Sequence, residues 1–325
     1  MVLEKEEGIG VKLRTAVFIL VLFSFLLPIT GWADSSALIL SGVPGDEEHA
    51  AKFTKWTAET VKILIDNLGF DKNRVIVLEN KMTAKTDILA AFTQLKQQLK
   101  PLDTFFLFFI GHGSYDADYK FNIYLADLTA NEYNAMLSTL SVGRIVIVNG
   151  TSASGGSIDA LAGKNRIVMT ATKSGSEGND TVFYEHFLEA LKNPAADEDK
   201  DKKISVWEAY KFATSETERF YKEDGRLATE HPALSDNGGE KVDLKVAEPP
   251  VMARITSFQV DRPIIAANAK QAALLEERKA IEQKIEQLRI DKAKIPEAEY
   301  EKQLEDLVLQ LALKNQEIKE QDAKK

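Results

Sequence analysis

Short apolar runs alternate with amphipathic stretches from residue 34 onward. The run ALILSG, Ala37 to Gly42, leads into Gly42-Val43-Pro44-Gly45 and reads as a strand delivering a loop. Behind it, Phe53, Trp56, Val61, Ile63, Leu64 and Leu68 fall near helical spacing, and the pattern stops at Gly69, which predicts a helix. NRVIVLEN predicts a second strand, and TAKTDILAAFTQLKQQL a second helix opened by Thr83. DTFFLFFIGHGS is apolar until its glycines, as a strand covered on both faces must be. RIVIVNG and RIVMTAT continue the series as further strands. Strands alternating with helices predict a mostly parallel sheet with helices on both faces, so residues 34–245 are expected to form one three-layer α/β domain.

The pattern then changes. Glycine is absent from Asp261 to the end, and Leu274, Ile281, Leu288 and Ile295 recur at heptad spacing with Ile285 between them. Pro296 interrupts the stripe, and Tyr300, Leu304, Leu307, Leu311 and Ile318 resume it. Residues 267–325 therefore predict either two helices folded back as a hairpin or one kinked coiled coil, with residues 246–266 as a linker. Such a stripe serves packing within the chain or self-association through these helices.

Composition narrows the class. A chain of 325 residues that is 44% hydrophobic can bury a sizeable core. Its formal net charge of −9 argues against a sequence-independent grip on phosphates, so no nucleic-acid partner is expected. Lys12 and Arg14 precede an apolar run from Ala16 to Leu27, which is followed by Gly31-Trp32-Ala33. That three-part layout reads as a signal peptide over residues 1–33 and predicts export to the periplasm or beyond. Cysteine is absent, which excludes both disulfide bracing and thiol chemistry.

Two loops stand at the ends of strands expected to be neighbours: Gly111-His112-Gly113, and Thr151-Ser152-Ala153-Ser154-Gly155-Gly156. Adjacent parallel strands would bring the His112 imidazole beside the Ser152 hydroxyl, at the carboxyl ends of the strands, where α/β proteins hold ligands. FFIGHGS followed by TSASGG resembles the legumain (asparaginyl endopeptidase) family and the wider caspase-like cysteine peptidases, and the likeness runs from ALILSGVPG through RIVMTATKSGSEGND. It implies a caspase-like fold, His112 as base, Ser152 at the nucleophile position, the amides of Gly113 and Ser152 as an oxyanion cradle, and Glu177 as a contact for a polar substrate group. No cofactor is required at such a site. The nucleophile position departs from the family, because serine stands where the thiol belongs. Serine is far harder to ionise, and it requires a positioned base, an orienting third group and an oxyanion hole. Asp116, Asp118 and Asp127 are the acids near His112 in sequence. Three readings of Ser152 stand open: a hydrolase nucleophile, the mark of a pseudoenzyme that binds peptides or partner proteins, or a loop serine without a role. A Gly-x-Ser-x-Gly elbow is approached at Gly150-Thr151-Ser152-Ala153, but Ser154 holds the last glycine position. His49 and His231 have no partner legible in the sequence, and His186 falls inside an expected helix.

A second motif lies in DEDKDKKISVWE. Asp197, Asp199 and Asp201 occupy positions one, three and five of a calcium-type loop, Lys203 offers a carbonyl at seven, Ser205 stands at nine and Glu208 at twelve. Lys202 holds position six, where the turn ordinarily takes glycine. A structural calcium and a solvated acidic turn capping the next helix both fit this stretch.

Overall fold

A computed structural model describes residues 34–242, 244, 250–260 and 268–322; the segment read as a signal peptide lies outside the described residues. The first part of the chain runs β1 (Ser35–Ser41), α1 (Glu47–Lys62), β2 (Val75–Leu78), α2 (Lys85–Gln98) and β3 (Thr104–Ile110). A short excursion follows, β4 (Gly113–Tyr115), β5 (Tyr119–Phe121) and β6 (Leu128–Thr129), and then α3 (Ala130–Leu137). The main sheet resumes with β7 (Arg144–Asn149), α4 (Ile158–Leu161), β8 (Arg166–Thr170), α5 (Phe183–Ala190), α6 (Val206–Glu223) and β9 (Ala233–Asp236). The six-stranded sheet has the order β2-β1-β3-β7-β8-β9, parallel except for β9, and β4 to β6 form a separate antiparallel sheet.

Strand alternation sorts the core into two layers. Ala37, Ile39, Phe106, Phe108, Val146, Val148, Ile167 and Met169 face α1, α5 and α6. Leu38, Leu40, Phe105, Leu107, Phe109, Ile147 and Val168 face α2, α3 and the small sheet. Both sets are fully buried, which is why the central strands read as unbroken apolar runs. The protein is thus a three-layer α/β domain with a mostly parallel sheet, as the alternation of elements predicts.

Three local expectations are corrected. Thr83 does not open α2: Ala84 is the cap residue, and the Thr83 hydroxyl donates instead to the carbonyls of Ser41 and Asn80. The helix after β1 ends its α-turns at Lys62 and continues as a π-turn over Ile63–Asn67. The stretch read as a linker is partly structural. Helix α7 (Val251–Ile255) leads into Phe258, which is fully buried against Phe106 and Phe187. The amides of Phe258 and Val260 donate to Ile204 and Leu68, fastening the segment to the domain.

The chain ends in α8 (Ala269–Ile290) and α9 (Glu297–Asp322), which pair with each other as a hairpin. Leu274 and Leu275 cluster with Ile318, and Lys314 pairs with Glu277 across the two helices at 2.6 Å. Leu274 and Ile318 of the apolar stripe thus pack within the chain. No helix among the described residues is long and apolar enough to cross a membrane.

Candidate functional site

Parallel pairing of β3 with β7 sets Phe109 opposite Asn149, so the chains leaving both strands run side by side. Their loops meet at Gly113 and Ser152. The Ser152 hydroxyl donates to the Gly113 carbonyl at 3.0 Å and accepts from the Gly113 amide at 3.2 Å. Ser152 is only 5% exposed. Glycine is required at 113 by this closeness: a Cβ there would lie 2.4 Å from the Ser152 carbonyl oxygen and 2.5 Å from the Tyr119 ring. Below them, the buried Tyr119 hydroxyl lies 2.6 Å from Thr151 Oγ1, and Thr151 in turn donates to the Asn149 side chain. Ala153 takes a left-handed φ of 53°, turning the chain sharply beyond the serine.

His112 does not hydrogen-bond to Ser152. Its Nε2 lies 3.1 Å from the carbonyl oxygen of Pro44, on the loop after β1. Since a carbonyl only accepts, Nε2 is the donor of this bond. The ring packs edge-on against Phe53 and His49, with centroids 5.1 and 4.6 Å away. Nδ1 looks toward Asp180, whose Oδ1 is 3.8 Å distant. The acids near in sequence have other partners: Asp116 pairs with Lys120, Asp118 accepts from the Asn131 side chain, and Asp127 accepts from the Ile123 amide. The orienting group of His112 is thus a backbone carbonyl, and its neighbouring acid comes from a distant loop.

His49 completes this corner. It lies in the first turn of α1, where Asp46 caps the helix by accepting from the His49 amide. Its Nδ1 is 2.7 Å from Asp46 Oδ2, and its Nε2 is 2.6 Å from Asp180 Oδ2. The hydrogen bond to Asp180, aided by Asp46, raises the His49 pKa above its ordinary value, while the bonds from His49 lower that of Asp46. The residue after Asp180 is fastened twice. Lys52 of α1 donates to the Thr181 carbonyl, and the Thr181 hydroxyl donates to the Gly150 carbonyl at the end of β7.

Glu177, expected to meet substrate, is engaged inside the protein. Its carboxylate accepts from the amides of Lys173 and His231 and lies 2.6 Å from His231 Nδ1. Its backbone carbonyl accepts from the Ala153 amide at 2.7 Å. Glu177 thereby fastens the loop after β8 to the serine loop, and His231 gains a partner that the sequence did not reveal. Tyr115, at the tip of β4, lies across the same two loops: a Cβ on Gly156 or Gly175 would stand 2.5 or 2.2 Å from its ring.

The acidic loop is compact. The Asp201 amide donates to the carboxylates of Asp197 and Asp199, the Lys202 amide donates to Asp197, and the Lys203 amide to Asp201. Lys202 adopts φ 70°, so the sixth position takes the left-handed turn even without glycine. Ser205 and Glu208 form a capping box at the start of α6, and Oε1 of Glu208 accepts from the Glu198 and Asp199 amides. Asp197, Asp199 and Glu208 each bring one oxygen to within 4.8 Å of the others. Burial raises the pKa of Asp201.

No family model matches the chain, and no curated protein matches it. Among solved structures, the chain is similar to protein GSU0716 of Geobacter sulfurreducens, a structural-genomics target, with a TM-score of 0.48 and 15% identity over 70% of this chain and 100% of that one.

Proposed function

We propose that this protein is an exported homologue of caspase-like and legumain-like peptidases that binds peptides or partner proteins without cleaving them. The observation that carries this reading is the double hydrogen bond between the Ser152 hydroxyl and the Gly113 backbone. A nucleophilic serine needs its proton directed at a base and an oxyanion cradle left open. Here the hydroxyl proton points at a carbonyl and the Gly113 amide is occupied by the hydroxyl itself. His112, turned between the Pro44 carbonyl and Asp180, gives no hydrogen bond to the serine.

A fluorophosphonate probe tests this directly. The expected result is no covalent labelling of the folded protein, with peptides from a complex mixture recovered intact by mass spectrometry after binding. Labelling that disappears in Ser152→Ala, or peptide cleavage that depends on Ser152, would establish the alternative, a hydrolase with Ser152 as nucleophile and His112 as base.

We also propose that the loop from Asp197 to Glu208 takes calcium as a brace for the start of α6. The left-handed turn at Lys202 supports this reading, because the loop follows the calcium-type path in spite of its sequence.

A further inference from the structure

We infer that His49, His112 and Asp180 form a binding site for one divalent transition-metal ion of the zinc class, independent of the peptide-binding reading above. One donor atom of each residue lies within 4.8 Å of the other two. Ligands of a tetrahedral ion held at about 2.0–2.1 Å stand roughly 3.3 Å apart. His49 Nε2 stands 2.6 Å from Asp180 Oδ2 and His112 Nδ1 stands 3.8 Å from Asp180 Oδ1, so each imidazole faces one oxygen of the same carboxylate at a separation near that scale.

Each imidazole is also held at its second nitrogen. Metal-binding histidines present one nitrogen to the ion, and their other nitrogen donates to a carboxylate or carbonyl that fixes tautomer and orientation. Both histidines here have that arrangement. His49 Nδ1 is held by Asp46 Oδ2 at 2.7 Å, and His112 Nε2 by the Pro44 carbonyl at 3.1 Å. Their remaining nitrogens converge on one carboxylate, Asp180. His112 Nδ1 faces the Asp180 carboxylate at 3.8 Å, beyond hydrogen-bond distance, so an ion can stand between the two groups. His49 and His112 are mostly shielded, with side chains 19% and 26% exposed, whereas Asp180 is 55% exposed and leaves a path for the ion. Two imidazoles and one carboxylate are a donor set for zinc or a similar borderline ion rather than for calcium or magnesium. Three protein donors also leave a fourth position for water or a ligand group.

The test is zinc titration of the full chain after chelator treatment, in competition with a chromophoric chelator and in the presence of excess calcium. One equivalent of zinc is expected, with His49→Gln, His112→Gln and Asp180→Asn each weakening it at least thirty-fold. Asp46→Asn, which removes only the holder of His49, is expected to weaken binding about ten-fold. Cobalt(II) should give tetrahedral ligand-field bands that these variants lose, while circular dichroism and melting of each variant certify its fold. His186→Ala, in a separate His-Glu cluster with Glu189 and Glu216, should leave binding unchanged. Absence of zinc binding, binding unaffected by the His49 and His112 variants in folded protein, or loss on His186→Ala would overturn the assignment.

Discussion

The hydroxyl of Ser152 and the backbone of Gly113 are joined twice, at 3.0 Å as donor and 3.2 Å as acceptor, across 39 residues of sequence. A side chain so placed stitches two loops at the end of the sheet. Ser152→Ala is expected to destabilise the fold by roughly 1–3 kcal/mol, because it leaves shielded backbone groups of Gly113 without their partner. Urea unfolding checks this. A variant more stable than the parent would instead mark Ser152 as a group held unfavourably for chemistry.

Gly113 itself admits no side chain. In Gly113→Ala the new methyl would press on the Ser152 carbonyl, Tyr119 and Thr151 Oγ1, all closer than 3 Å. Two of these belong to the loop that follows a central strand and cannot retreat freely. The expected cost is on the order of 1–3 kcal/mol, read as a lower melting temperature.

Glu230 predicts a pH dependence. It is 2% exposed and accepts from the Val182 and Phe183 amides and the Tyr221 hydroxyl, yet burial outweighs these bonds and raises its pKa from 4.5 to about 7. The folded protein therefore holds a proton that the unfolded chain releases between those values. Its contribution to stability is full below about pH 4.5 and lost as pH rises through about 7. Glu230→Gln, which imitates the protonated form, should remove that slope and exceed the parent by on the order of 1–3 kcal/mol above pH 7. Parallel stability curves for the two proteins from pH 5 to about pH 8 would contradict this.

For the acidic loop, calcium is expected to raise the melting temperature, and Asp197→Ala to abolish the rise. Lys202→Gly should strengthen the effect, since it removes both a positive charge and the side chain at φ 70°. Coincident melting curves with calcium and with chelator would exclude the ion.

Much of the architecture was legible because burial on both faces leaves a plain mark. TFFLFFI and RIVIVN are apolar runs too short for helices, and glycines end the accessible part of each. The hairpin was legible as a heptad stripe interrupted at Pro296, though the choice between hairpin and continuous coil was not. Residues 251–260 were misread, since a single buried aromatic, Phe258, anchors them and no periodicity announces it. At the site, the sequence pointed to His112 and Ser152 but not to their partners. Pro44 acts through its carbonyl, which no side-chain pattern can signal, and Asp180 lies 131 residues from His49.

Sequence alone determined the layered α/β class, the strands and helices up to β3, the strands β7 and β8 and the convergence of two loops, because these follow from local periodicity and from the geometry of parallel neighbours, but not β4 to β6, α3 or β9. Only the tertiary structure decided that Ser152 turns to the Gly113 backbone, that His112 turns to Pro44 and Asp180, and that His49 joins them. Those choices depend on side-chain direction and on contacts between loops distant along the chain, and hydrophobic patterning carries no information about either.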